Sequence, residues 1–134
     1  VTDALTDRLT TGVGVITLAL GAALTVAPER TAAILRLGGS RTAARSIGVA
    51  DLAIGWGLLR SRRRAPWMAA RAALNLVLAT RYRAEANRQD GLAGAQAGAV
   101  GMSALTVFDG TLALRLARAS VDRSASSERP SRPR

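Results

Sequence analysis

The chain has 134 residues and a formal net charge of +10, and all 19 of its basic residues are arginine. It contains no cysteine and no histidine, which excludes disulfides, thiol nucleophiles, histidine general bases and most zinc or haem sites. Aromatic residues make up 3% of it, against 13 glycines. Soluble cores draw on large rings for buried area, whereas Ala, Leu, Val and Gly suit close helix packing in lipid.

The first apolar stretch, 9–27, is uncharged. At 1.5 Å per residue it reaches about 30 Å, the thickness of a bilayer's hydrocarbon core. The residues before it include Asp3 and Asp7 and lack the basic region of a signal peptide, so it is expected as a retained helix. Pro28 ends it, and the mixed stretch up to Gly38-Gly39 is expected as an interfacial turn or amphipathic segment.

A second segment, 42–59, carries Arg45 and Asp51 and ends at the Arg-rich run 60–64. Pro66 starts a third, 66–83, which carries Arg71 and Asn75; proline suits a first helical turn. The fourth, 92–114, is uncharged until Asp109 and contains Gly94, Gly98 and Gly101. No period-two alternation persists, so strands are not expected. The expected fold is all-α: a four-helix transmembrane bundle over 1–118, followed by a disordered tail over 119–134 rich in Arg, Ser and Pro.

With four spans, the N-terminus, the 60–64 loop and the C-terminus share one face, which carries 11 arginines against 7 on the other, Arg71 lying within the membrane. The positive-inside rule then puts both termini in the cytoplasm, with the chain in the plasma membrane. Trp56 and Trp67 fall near the cytoplasmic interface and Tyr82 near the opposite one, as aromatic belts do. The bilayer is the expected partner. Nucleic acid is not, because no stacking aromatics are interleaved with the arginines. No cofactor or metal is expected either: Gly12-x-Gly14 lacks the rest of a nucleotide fingerprint.

The residues foreign to a bilayer are the candidate site. Arg71 and Asn75 are four apart and share a helix face. Counted from the arginines that bound their segments, Arg71 lies about 7 Å deep and Asp109 about 9 Å, with Asp51 nearer the midplane. Arg71 and Asn75 are therefore expected to point inward, toward Asp51 and Asp109. Arg45 belongs to the same polar set, although its rotation of about 120° from Asp51 suits the outer interface better. Gly48 and Gly55 flank Asp51 on one stripe and would let a neighbouring backbone approach. Gly94, Gly98 and Gly101 are expected to pack within the chain, with a face for a second copy as the alternative.

The second segment, the Arg run and the opening of the third, within residues 40–75, resemble uncharacterised small four-helix membrane proteins of actinobacteria and fungi. In those an Arg, a Gly, an Asp and a further Gly recur on the second helix, and the matching positions here are Arg45, Gly48, Asp51 and Gly55. Arg71 would match a polar residue on helix three. A fainter similarity to DoxX-type proteins rests on hydropathy. The resemblance implies a fold and no activity. Three functions stay open: a structural or accessory membrane subunit that partners another membrane protein, a membrane-embedded binder or enzyme using Asp51 and Asp109 around Arg71, and a subunit of an oligomeric transporter.

Overall fold

A computed structural model describes the backbone of residues 2–88 and 94–127 and the side-chain surroundings of 4–88 and 94–122. The described residues are helical, with no strand, in five helices: α1 Thr2–Val26, α2 Pro28–Ile34, α3 Arg41–Arg60, α4 Ala65–Ala86 and α5 Ala95–Ser127. Four are long. The fifth, α2, is the stretch expected as an interfacial segment.

The helix boundaries follow local chemistry. Pro28 occupies the first turn of α2, where its missing N–H costs nothing. Thr31 then donates its hydroxyl to the Ala23 carbonyl at 3.0 Å, fastening α2 to the end of α1. Arg36, Gly38 and Gly39 adopt φ of 52°, 62° and 85°. This left-handed run, cheap for glycine, reverses the chain before Ser40 caps α3 by accepting from the Ala43 N–H at 3.2 Å. Between α3 and α4, the Ser61 hydroxyl accepts from the Arg63 N–H and donates to the Arg63 carbonyl, both at 3.1 Å, forming a tight turn.

One expectation is corrected. The disordered tail does not begin at 119, because α5 runs on to Ser127. The chain from Arg115 to Ser127 contains no glycine or proline and includes good helix formers such as Leu, Ala and Arg, so nothing stops the helix. The remaining tail, 128–134, lies outside the described residues, as do 92 and 93 at the start of the expected fourth span. Among the described residues two helices are long and apolar enough to cross a membrane, α1 over Ala4–Val26 and α5 over Ala95–Asp122. α3 carries Arg41, Arg45, Asp51 and Arg60, and α4 carries Arg71, Arg81, Arg83 and Glu85, which keep both out of that class.

The long helices associate as two antiparallel pairs, α1 with α3 and α4 with α5, with sparser contact between the pairs. Buried positions recur at alternating spacings of three and four: Met68, Arg71, Asn75, Leu78 and Tyr82 on α4, and Ala44, Ile47 or Gly48, Asp51, Ile54 or Gly55, and Leu58 on α3. This is the spacing of a helix seam that faces a neighbour along its whole length.

Glycines set how closely the first pair approaches. A Cβ on Gly21 would lie 2.7 Å from the Leu52 nitrogen and 2.8 Å from the Gly48 carbonyl oxygen. One on Gly48 would lie 2.9 Å from the Gly21 oxygen, and one on Gly55 would lie 2.9 Å from the Leu18 nitrogen. In the second pair Gly98 seats the Tyr82 ring, and between the pairs the Trp67 ring of α4 lies over Gly57 of α3. Tyr82 thus packs inside the protein, its hydroxyl donating to the Leu35 carbonyl, while Trp67 is half-buried. Trp56 remains on the outside.

Two apolar clusters form the interior. One joins Leu24, Leu37, Ile47, Leu78 and Tyr82, and the other Ile54, Leu58, Met68 and Leu112. Thr17, Asp51, Arg71, Asn75 and Asp109 lie between them along their helices.

Candidate functional site

The site is a polar layer at the level where all four long helices contribute a side chain. Thr17 comes from α1, Asp51 from α3, Arg71 and Asn75 from α4, and Asp109 from α5, and all five are buried. Asp109 has no exposed surface at all.

Arg71 holds the layer together. Its Nε donates to Asp109 Oδ2 at 2.9 Å, which makes an ion pair across the α4–α5 seam. One of its terminal nitrogens donates to the Thr17 hydroxyl, so a single guanidinium joins the two helix pairs. Asn75, one turn along α4, donates from Nδ2 to the same Asp109 Oδ2 at 2.7 Å. Thr17 Oγ1 in turn donates to the Val13 carbonyl at 2.7 Å, which orients its lone pairs toward Arg71.

The other carboxylate oxygens of the layer are not matched. Asp109 Oδ1 is buried and accepts no hydrogen bond. Asp51 is 7% exposed, lies within reach of the Arg71 charge, and forms no hydrogen bond or ion pair with any described residue. Two carboxyl groups and one guanidinium therefore share one buried layer.

The remaining expected residues lie elsewhere. Arg45 is exposed, on a shallow surface depression with Arg41 and Ser46. Six residues of helix turn it away from the interior that Asp51 faces, so it leaves the polar set. Gly48 and Gly55 lie in the α1–α3 seam and Gly98 under Tyr82. Gly94 precedes α5 with φ of 87° against the Arg36 side chain, and a Cβ on Gly101 would meet no atom of another helix within 4 Å. Gly94, Gly98 and Gly101 thus do not form one packing stripe.

Thr17, Gly14 and Gly21 are the residues that the reading of the sequence missed. A signal for them exists: Thr10, Gly14, Thr17 and Gly21 repeat at i, i+4, i+7 and i+11 on α1 and are all buried, while Leu5, Leu9, Ile16 and Leu20 are exposed. A small-and-polar stripe on an otherwise apolar helix marks its packing face. Among the described residues no group of three or more acidic side chains is placed to hold a metal ion.

The chain matches no protein-family model, no curated protein and no solved structure. The resemblance read over residues 40–75 finds no counterpart there.

Proposed function

We propose that this chain is a small integral membrane protein of structural or accessory role, whose four long helices all cross the bilayer and whose polar layer locks two helix pairs together. The observation that carries this reading is the inversion of burial. Among the described residues seven polar or charged ones are buried, while 17 large hydrophobic ones are exposed, 16 of them spread over the four long helices, among them Val107 at 71% and Trp56 at 63%. A water-exposed protein keeps single apolar residues on its surface, not a belt of them around a polar centre. In lipid the same belt faces acyl chains at no cost, and the polar residues find partners only inside.

The lengths agree with this. The 20 residues of α3 reach about 30 Å and the 22 of α4 about 33 Å, both matched to the hydrocarbon core. Arg71 and Asp51 keep these helices from being spans on composition alone, but in the bundle both side chains turn inward. The arginine asymmetry places both termini in the cytoplasm and the α2–α3 turn outside. Among the described residues no nucleophile–base pair is assembled, which favours an accessory role, with another membrane protein as partner.

The chain is expected to stay with the membrane pellet through alkaline carbonate and high salt and to leave it only with detergent. Because it lacks cysteine, single-cysteine reporters are clean. In intact cells an impermeant maleimide should label Thr42→Cys and spare Arg62→Cys and Ser120→Cys. Release by carbonate would end the membrane reading, and the reverse labelling would end the orientation.

A second reading has its own observation. Asp51 and Asp109 Oδ1 are buried and have no hydrogen-bond partner among the described residues, as the carboxylates of a membrane-embedded binder or enzyme would around Arg71. Asp51→Asn separates the two readings. It breaks no hydrogen bond and removes a buried charge, so the unfolding midpoint in detergent should hold or rise. The structural reading expects no other phenotype. Loss of a cellular phenotype by this fully folded variant would favour the binder.

A further inference from the structure

We propose that the cavity at the α3–α4 turn holds the phosphodiester headgroup of an anionic phospholipid from the cytoplasmic leaflet, an assignment that rests on the membrane reading above. The cavity has a volume of about 630 Å³ and is walled by the turn itself, by Asp7 of α1 and by Leu116, Ala117, Ser120 and Val121 of α5. That is the size range of small-molecule sites, and four arginines, 60, 62, 63 and 64, line it.

Those arginines divide into two roles. Arg64 is already engaged, with one terminal nitrogen 3.7 Å from Asp7 and donating to the Thr11 hydroxyl at 3.3 Å, so it ties α1 to the turn. Arg60, Arg62 and Arg63 direct their guanidinium groups to no described residue. Their backbone is held, because the Ser61–Arg63 hydrogen bonds close the turn on both sides. Three unengaged planar forks rooted on an ordered turn suit the oxygens of a phosphodiester, which guanidinium groups bind in pairs of parallel hydrogen bonds. The first turn of α4 borders the same cavity through Ala65 and Pro66, and no side chain caps it, so its dipole adds to the attraction for an anion.

The apolar part of the lining selects a lipid over a free phosphate. Leu59, Leu116 and Val121 border the cavity beside the arginines, and a soluble anion has no use for them. A phospholipid places its glycerol and first acyl carbons there. Arg60 closes α3, so the turn sits at the boundary between headgroups and hydrocarbon, where such a molecule presents its phosphate.

The test uses the full chain in detergent micelles doped with equal amounts of phosphatidylglycerol and phosphatidylcholine, with retained lipid read by native mass spectrometry. The wild type should retain phosphatidylglycerol, and inorganic phosphate should not displace it. Arg60→Gln with Arg62→Gln and Arg63→Gln should lower that retention by about tenfold or more. Arg45→Gln with Arg81→Gln and Arg83→Gln, an equal charge loss on exposed residues away from the cavity, should leave it unchanged. Equal retention of both lipids, equal loss in both triple variants, or displacement by phosphate would each overturn the proposal. Helical circular dichroism confirms that each triple variant is folded, and the single variants Arg62→Gln and Arg63→Gln carry the test if the triple is not. A chain that needs detergent yet shows no preference refutes the headgroup site alone, whereas one that stays soluble without detergent refutes the membrane reading.

Discussion

Arg71→Leu is expected to destabilise the bundle by about 3–5 kcal/mol, read as a lowered midpoint of denaturant or thermal unfolding in detergent. Two terms contribute, and their sizes differ. The lost hydrogen bonds are the smaller one: interhelical hydrogen bonds in membrane proteins average about 0.6 kcal/mol each. The larger is the carboxylate left behind. Asp109 is wholly buried, its Oδ1 already lacks a partner, and without Arg71 its charge would have only the Asn75 amide to answer it. Thr17→Val isolates the smaller term and should cost no more than about 1.7 kcal/mol. Adding Asp109→Leu and Asp51→Asn to Arg71→Leu should recover most of the loss, because a neutral layer leaves no charge to desolvate. If Arg71→Leu alone leaves the midpoint where it was, the polar layer is not what joins the helix pairs.

Gly21→Leu should be the most damaging substitution outside the polar layer, preventing α1 from seating on α3 and lowering stability by about 3 kcal/mol or more. The reason lies in what the new side chain meets. At Gly21 even a Cβ would stand 2.7 Å from a backbone nitrogen and 2.8 Å from a backbone oxygen, and backbone atoms cannot rotate away as a flexible side chain does. Gly48→Leu meets the Gly21 oxygen at 2.9 Å and should behave alike. At Gly12 and Gly101 no atom lies within 4 Å, so Gly12→Ala and Gly101→Ala should be neutral, or stabilising by up to about 1 kcal/mol through helix propensity. Expression in membranes and unfolding midpoints of the four variants check the contrast. Equal behaviour of Gly21→Leu and Gly101→Ala would rule out the close α1–α3 seam.

The polar layer shows what spacing along a chain can and cannot specify. That Arg71 and Asn75 share a face follows from their separation of four, and that Arg71 and Asp109 lie at similar depths follows from counting residues to the nearest bounding arginines. Both are properties of a helix on its own axis. The choice of partner is a property of two helices. Asp51 and Asp109 were equal candidates for Arg71, and the pairing of α4 with α5 set Asp109 against it. Thr17 became the third member because α1 lies across the seam, a relation no spacing within α1 contains.

Arg45 and Gly101 show the same boundary from the other side. Each sits in a segment with the right composition, but rotation about the helix turned Arg45 to the surface and Gly101 to open space. The extension of α5 to Ser127 has a local cause: Ser and Arg look like a tail in composition, but without glycine or proline they continue a helix already begun.

What the sequence determined by itself is therefore the apolar character of the chain, its helices, their turns at Pro28, Gly38-Gly39 and Pro66, and the depth of each polar residue, because these depend on neighbours along the chain. Tertiary structure alone decided that the helices associate as two pairs, that glycines bring α1 and α3 into backbone contact, and that one guanidinium bridges the pairs while Asp51 has no partner among the described residues. Those facts depend on distances between helices, and an arginine is compatible with every acid at its depth until packing removes all but one.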